Sequence, residues 1–227
     1  MKPRNPGTLY IAQGTRREAV LLLAHGAGAG QTHPFMVRYA RGLSARGIDV
    51  VTFDFPYMEA RRRAPDKAPV LEQSFRDAIR AAVARTEPGA TRLFIGGKSM
   101  GGRIATYLAA APDEWPQELP PLNGVIALGY PLKPPGSAGR QDRVSHLFKI
   151  PVPVLIVQGT RDSFGGPDEV RAALGDRAPY ISIFEVEGGD HSFAVPKSRA
   201  KAQVDVDTEI WDAVSAWISR PRTRSGA

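Results

Sequence analysis

The sequence predicts an α/β fold in which a mostly parallel central sheet carries helices on both faces. Short apolar runs alternate with helix-length segments along nearly the whole chain, the order that parallel strands joined by crossover helices require. The runs are continuously apolar, as strands buried on both faces are. At 227 residues, 42% of them hydrophobic, the chain can bury one large core, and α/β architectures of this length are commonly one domain.

The elements follow in order. Residues 8–13 fit an antiparallel edge strand. Val20-Leu21-Leu22-Leu23-Ala24 reads as a buried strand, followed by a glycine-rich loop and a helix over 34–46. Residues 48–53 form the next strand, and the spacing of Leu71, Phe75, Ile79 and Val83 predicts a helix over 70–85. A strand over 92–96 leads into a helix from Met100 to about Ala111. Strands over 124–129, 152–157 and 180–186 complete the sheet, and a last helix over 204–219 buries Ile210, Val214, Trp217 and Ile218. The domain is expected to span residues 1–227, with 1–6 and 220–227 as disordered tails. The segment 133–150 leaves no room for a large lid domain. In such a sheet ligands gather beyond the carboxyl ends of the strands.

Composition excludes several functions. The net charge of +7 suggests nucleic acid until it is located: eight of the 30 basic residues lie near the ends or in the run Arg61, Arg62, Arg63, leaving 22 against 23 acidic residues. No basic face interleaved with aromatics remains, so no nucleic-acid partner is expected. With no cysteine there is no disulfide, thiolate metal site or cysteine nucleophile. The first residues lack a signal-peptide core and residues 20–24 are too few to span a bilayer, so a cytoplasmic protein without membrane association is expected.

Chemistry is concentrated at Gly97-Lys98-Ser99-Met100-Gly101. A G-x-S-x-G between a strand and a helix presents a serine hydroxyl on a turn so sharp that its neighbours must be small. A phosphate loop ending in Gly97-Lys98-Ser99 needs a glycine where Arg92 stands, and a dinucleotide loop at Gly26-Ala27-Gly28 needs one where Gln31 stands. A serine nucleophile requires a base oriented by a carboxylate. Of the four histidines, His191 lies on a turn just past the final strand, whereas His25, His33 and His146 read as loop or capping residues. Asp162, beyond the strand over 152–157, is the expected acid; Asp168 falls at a helix start, Asp190 reads as a turn residue, and Asp54 as a turn former. The order is Ser99, Asp162, His191. Two backbone donors should face a developing oxyanion: Met100, after the nucleophile, and Ala27, in the loop His25-Gly26-Ala27-Gly28-Ala29-Gly30.

With these residues the chain resembles the α/β-hydrolase superfamily over nearly its whole length, and especially its small dienelactone-hydrolase-like branch. Leu23-Ala24-His25-Gly26-Ala27-Gly28-Ala29-Gly30 with His33-Pro34-Phe35-Met36, Arg62-Arg63-Ala64-Pro65-Asp66, and Gly97-Lys98-Ser99-Met100-Gly101-Gly102-Arg103 are similar to a bacterial group of predicted hydrolases related to testis-expressed hydrolase-like proteins. The dienelactone hydrolases typically use cysteine where this chain has Ser99. The resemblance implies an α/β-hydrolase fold, and superfamily members that serve as scaffolds supply the alternative to catalysis.

The expected function is therefore a serine hydrolase acting on a small-molecule carboxylic ester or thioester. The alternative is a binding or scaffold protein that keeps the fold. Tyr57, Met58, Tyr130 and Phe164 are candidates for an apolar wall of the substrate site, and Arg62, within the arginine run, for selecting an anionic substrate. No metal-ligand spacing occurs and acyl transfer needs no cofactor.

Overall fold

The structure, a computed structural model, describes residues 7–85, 92–133, 143–175, 180–196 and 202–220. The tails expected over 1–6 and 220–227 lie outside these residues, except for Arg220. Among the described residues seven strands form one sheet: β1 (Thr8–Tyr10), β2 (Ala19–Ala24), β3 (Asp49–Phe53), β4 (Arg92–Lys98), β5 (Leu122–Leu128), β6 (Val154–Gly159) and β7 (Ile181–Val186). Their spatial order is β1-β3-β2-β4-β5-β6-β7. Only β1 runs antiparallel, pairing Thr8 with Thr52 and Tyr10 with Val50; the remaining pairs are parallel.

Alternation along the strands divides the core. From β2, Val20, Leu22 and Ala24 face one side of the sheet while Ala19, Leu21 and Leu23 face the other. The first face is covered by α3 (Ala68–Val83) through Leu71, Phe75 and Ile79, and by α4 (Met100–Ala109) through Ile104 and Leu108. The opposite face is covered by α1 (Pro34–Ser44) through Met36, Tyr39 and Leu43, and by α6 (Gln203–Ile218) through Ile210, Val214 and Trp217. Helices therefore shield both faces, as the apolar runs require. Two short helices complete the set: α2 (Pro56–Glu59) and α5 (Pro167–Leu174). Among the described residues of the β5–β6 connection there is only a short 3-10 turn at Ser145–Lys149. No helix of the described residues is long and apolar enough to cross a membrane.

The topology places a crevice. The chain leaves β2 for β3 on one side and then returns to β4 on the other, so the loops after β2 and β4 diverge at this reversal. Ala24 stands beside both Phe53 and Gly97, which brings the glycine-rich loop after β2 against the turn after β4.

Candidate active site

β4 continues two residues further than expected, to Lys98, and α4 starts at Met100. Ser99 alone makes the turn, at φ 51° and ψ −113°. A non-glycine residue held there costs about 1–3 kcal/mol and persists only where its surroundings fix it. Here its N–H donates to the Leu128 carbonyl at 2.9 Å and its carbonyl accepts from Arg103 N–H at 3.1 Å. Gly101 permits the close approach: a Cβ there would stand 2.5 Å from the Ala24 carbonyl oxygen and 2.6 Å from that of His25. Gly101→Ala should therefore force the backbones of β2 and α4 apart, with a loss of about 1–3 kcal/mol in urea unfolding.

Ser99 Oγ lies 2.9 Å from His191 Nε2, and His191 Nδ1 lies 2.8 Å from Asp162 Oδ2. The three residues predicted from separate strand ends are thus brought into one hydrogen-bonded chain. The Asp162 side chain is fully buried and that of His191 is 20% exposed. Asp162 Oδ2 also accepts from Gln158 Nε2 at 2.9 Å, and Oδ1 from the Phe164 N–H at 2.8 Å. Asp190 caps its own turn by accepting from the N–H groups of Ser192 and Ala194, and Asp168 stands in the first turn of α5.

The turn bearing His191 is anchored from two sides. Phe193, fully buried at φ 64°, packs against the rings of Phe35 and Tyr39. From below, Lys98 Nζ donates to the His191 carbonyl at 2.6 Å, over the Phe35 ring. Gly129, at φ 69°, leaves room for this contact, since a Cβ there would lie 2.8 Å from the His191 oxygen and 3.0 Å from Lys98 Nζ. Burial pushes the Lys98 ammonium down to about 8, against the opposing pull of the Asp162 and Asp190 carboxylates. In the unfolded chain it returns to about 10.4. Between these values the unfolded state binds more protons, so this group makes stability rise with pH from about 8 to 10. Lys98→Met should remove that rise: the stability difference, variant minus wild type, should fall by on the order of 3 kcal/mol between pH 7.5 and 10 in urea titrations.

The glycine-rich loop is held by a network that sequence reading passed over. His25 is fully buried. Its Nε2 accepts from the Phe55 N–H at 3.1 Å, which leaves Nδ1 protonated to donate to the Gly26 carbonyl at 2.7 Å. Burial lowers its pKa, with the Gly26 contact and Asp54 opposing. Asp54 accepts from the backbone and side-chain N–H groups of Gln31. His33 caps α1 by accepting from the Phe35 N–H, and His146 contacts Thr106 Oγ1 at 2.9 Å.

A cavity of about 470 Å³ opens above Ser99 and His191. Ala27 lines it on one side, and Met100, at the N-terminus of α4, on another. The first N–H groups of a helix lack intrahelical acceptors and carry the positive end of its dipole. Phe164 also lines the cavity, with its ring 4.4 Å from that of His191. The other expected wall residues require correction. Tyr57 is fully buried beneath the glycine-rich loop, where its hydroxyl donates to the carbonyls of Gly26 and Ala27. Tyr130 is fully buried and donates to the Arg143 carbonyl. Met58 and Arg62 are absent from the lining; Arg62 is exposed and pairs with Asp66 at 2.7 Å. In each case position after a strand indicated the right end of the sheet but not the direction of the side chain.

Comparison with known proteins agrees with this architecture. Residues 17–219 match a family model described as an alpha/beta hydrolase domain. No curated protein matches the sequence. Among solved structures, the chain is similar to a serine hydrolase without lid from Xanthomonas campestris, at 18% identity over 94% of this chain and 89% of that one, TM-score 0.67. It is similar to a dienelactone hydrolase from Anabaena variabilis, at 18% identity over 93% and 89%, TM-score 0.67. An esterase domain from Rhodothermus marinus aligns at 21% identity over 93% and 91%, TM-score 0.63. At these identities the likeness concerns the fold.

Proposed function

The chain belongs to the alpha/beta hydrolase domain family, and from that premise we propose that it is a single-domain cytoplasmic serine hydrolase, cleaving a small carboxylic ester or thioester through an acyl-enzyme on Ser99. The observation that carries this reading is the unbroken Ser99–His191–Asp162 hydrogen-bond chain, with steps of 2.9 and 2.8 Å, at the floor of an open cavity.

Each group has one task. His191 Nε2 removes the proton as Ser99 Oγ bonds to the acyl carbon, while Asp162 holds the ring by Nδ1–H and balances the cation that forms. The negative tetrahedral oxygen is met by the N–H groups of Met100 and Ala27. When the intermediate collapses, the bond to the leaving oxygen or sulfur breaks and His191 returns the proton to it. Water, deprotonated by the same imidazole, then bonds to the acyl carbon, and the Ser99 Oγ–carbon bond breaks as His191 returns the proton to Oγ, releasing the acid. The strained turn at Ser99 supports this role, since the hydroxyl does not cap α4 and meets His191 Nε2 instead.

The direct test is reaction with a fluorophosphonate probe together with a panel of short aryl esters and acyl thioesters. Stoichiometric labelling on Ser99 and saturable turnover are the expected results. Absence of both across the panel would leave the fold without this activity.

A further inference from the structure

Arg103 and Arg143 line the same cavity as Ser99. Arg103 stands one helical turn beyond Ser99 on α4. Arg143, 8% exposed, enters from the segment before β6. Their polar contacts are few: Arg103 Nη1 donates weakly to the Tyr107 hydroxyl at 3.3 Å, and Arg143 Nη1 to the Pro131 carbonyl at 2.9 Å. The Nε of each is buried without a hydrogen-bond partner. Among the described residues neither pairs with a carboxylate, whereas Arg38, Arg46, Arg62, Arg76 and Arg171 all do.

This arrangement is costly if nothing occupies it. Both guanidinium groups stand in the wall of one cavity, each with a buried, unused donor, and the Arg143 charge is disfavoured by its burial and, secondarily, by Arg103. A third cation, Lys98, lies in the same wall but is committed to the His191 carbonyl. The wall's carboxylate, Asp66, is bound by Arg62. An anion between the two arginines would satisfy both forks and cancel their repulsion, the geometry in which guanidinium is preferred to ammonium.

We infer that Arg103 and Arg143 form an anion subsite, so that the ester or thioester cleaved at Ser99 carries a carboxylate or a phosphate on a short spacer. The inference deepens the hydrolase reading and rests on it for the word substrate; the anion site itself stands on the two guanidiniums alone.

Binding is measured without turnover, by titrating glutarate and, separately, inorganic phosphate into the full-length Ser99→Ala protein in a calorimeter. One or both should bind, and Arg103→Gln or Arg143→Gln in that background should weaken binding by about 10- to 100-fold. Tighter glutarate assigns a carboxylate and tighter phosphate a phosphate. Kinetics then compare the 4-nitrophenyl half-ester of glutaric acid with 4-nitrophenyl butyrate. The ratio of their kcat/KM values should favour the anion in the wild type and fall by a similar factor in either arginine variant. Arg171→Gln, on exposed α5, should leave the ratio unchanged. Because Arg143 is buried, melting curves accompany its variant, and Arg103→Gln provides the second, half-buried site. No binding of either anion, or binding and an ester ratio indifferent to both substitutions, overturns the subsite. Anion binding without Ser99-dependent turnover of any ester instead keeps the subsite and removes the hydrolase reading.

Discussion

Ser99→Ala is expected to lower ester turnover by about 10⁶-fold and to abolish fluorophosphonate labelling, with the fold and melting temperature nearly unchanged. The size follows from what the hydroxyl does: its oxygen is carried by a strained turn and is in contact with His191 Nε2. Without it, the oxyanion donors and the cavity still bind the acyl group, and a residual rate above that of water should persist. Stability should barely move because the turn is held by the backbone. The Ser99 N–H to Leu128 and the Arg103 N–H to Ser99 are untouched by the substitution, and alanine at φ 51° is strained as serine is. Circular dichroism and a thermal melt check the fold; a rate within tenfold of wild type would mean that another group attacks.

How much of this was legible in the sequence depends on the range of the interaction. Strands announced themselves as apolar runs, and Ser99 through its flanking glycines, because both signals are local. The end of β4 did not: Gly97, the first residue past the expected strand, is a poor strand former, and it is strand because β2 pairs with it on one side and β5 on the other. α2, four residues long, is too short to show a helical period. Asp162 and His191 were reachable because parallel topology puts loops after strands at one end of the sheet. Which way a side chain points from such a loop is set by distant partners, so Tyr57 and Tyr130 were misread as cavity wall. Gln158, which ties the Tyr130 backbone, the Gly165 carbonyl and Asp162 together from the end of β6, carries no local signal at all. Lys98 was visible as the variable position of the serine motif and as the lysine of the rejected phosphate loop. Its function as a clamp on the His191 turn spans 93 residues.

Asp162→Ala and Asp162→Asn are both expected to lower kcat by about 10⁴-fold at neutral pH, with little change in KM. Three donors converge on this carboxylate: His191 Nδ1–H and Gln158 Nε2–H on one oxygen, the Phe164 N–H on the other. Only a group that accepts at both positions fits. An asparagine amide must turn its NH₂ toward one of them. If that is the Phe164 side, a buried N–H faces a donor; if it is the other, Gln158 is opposed and His191 is driven to accept at Nδ1, which puts its proton on Nε2 against Ser99. Gln158 cannot turn to relieve the conflict, since its oxygen accepts from the Tyr130 N–H. Either orientation also removes the negative charge that balances imidazolium. The isosteric change should therefore rescue nothing relative to alanine, and both should lose about 1–3 kcal/mol in urea unfolding from the orphaned donors. Asp190→Asn provides the contrast. Among the described residues, that carboxylate accepts hydrogen bonds from backbone N–H groups of its own turn, and an asparagine oxygen accepts from them equally well, so turnover should stay within tenfold of wild type. Should Asp190→Asn prove the damaging change and Asp162→Asn the silent one, the carboxylate that orients His191 during turnover is not the one 2.8 Å from its ring.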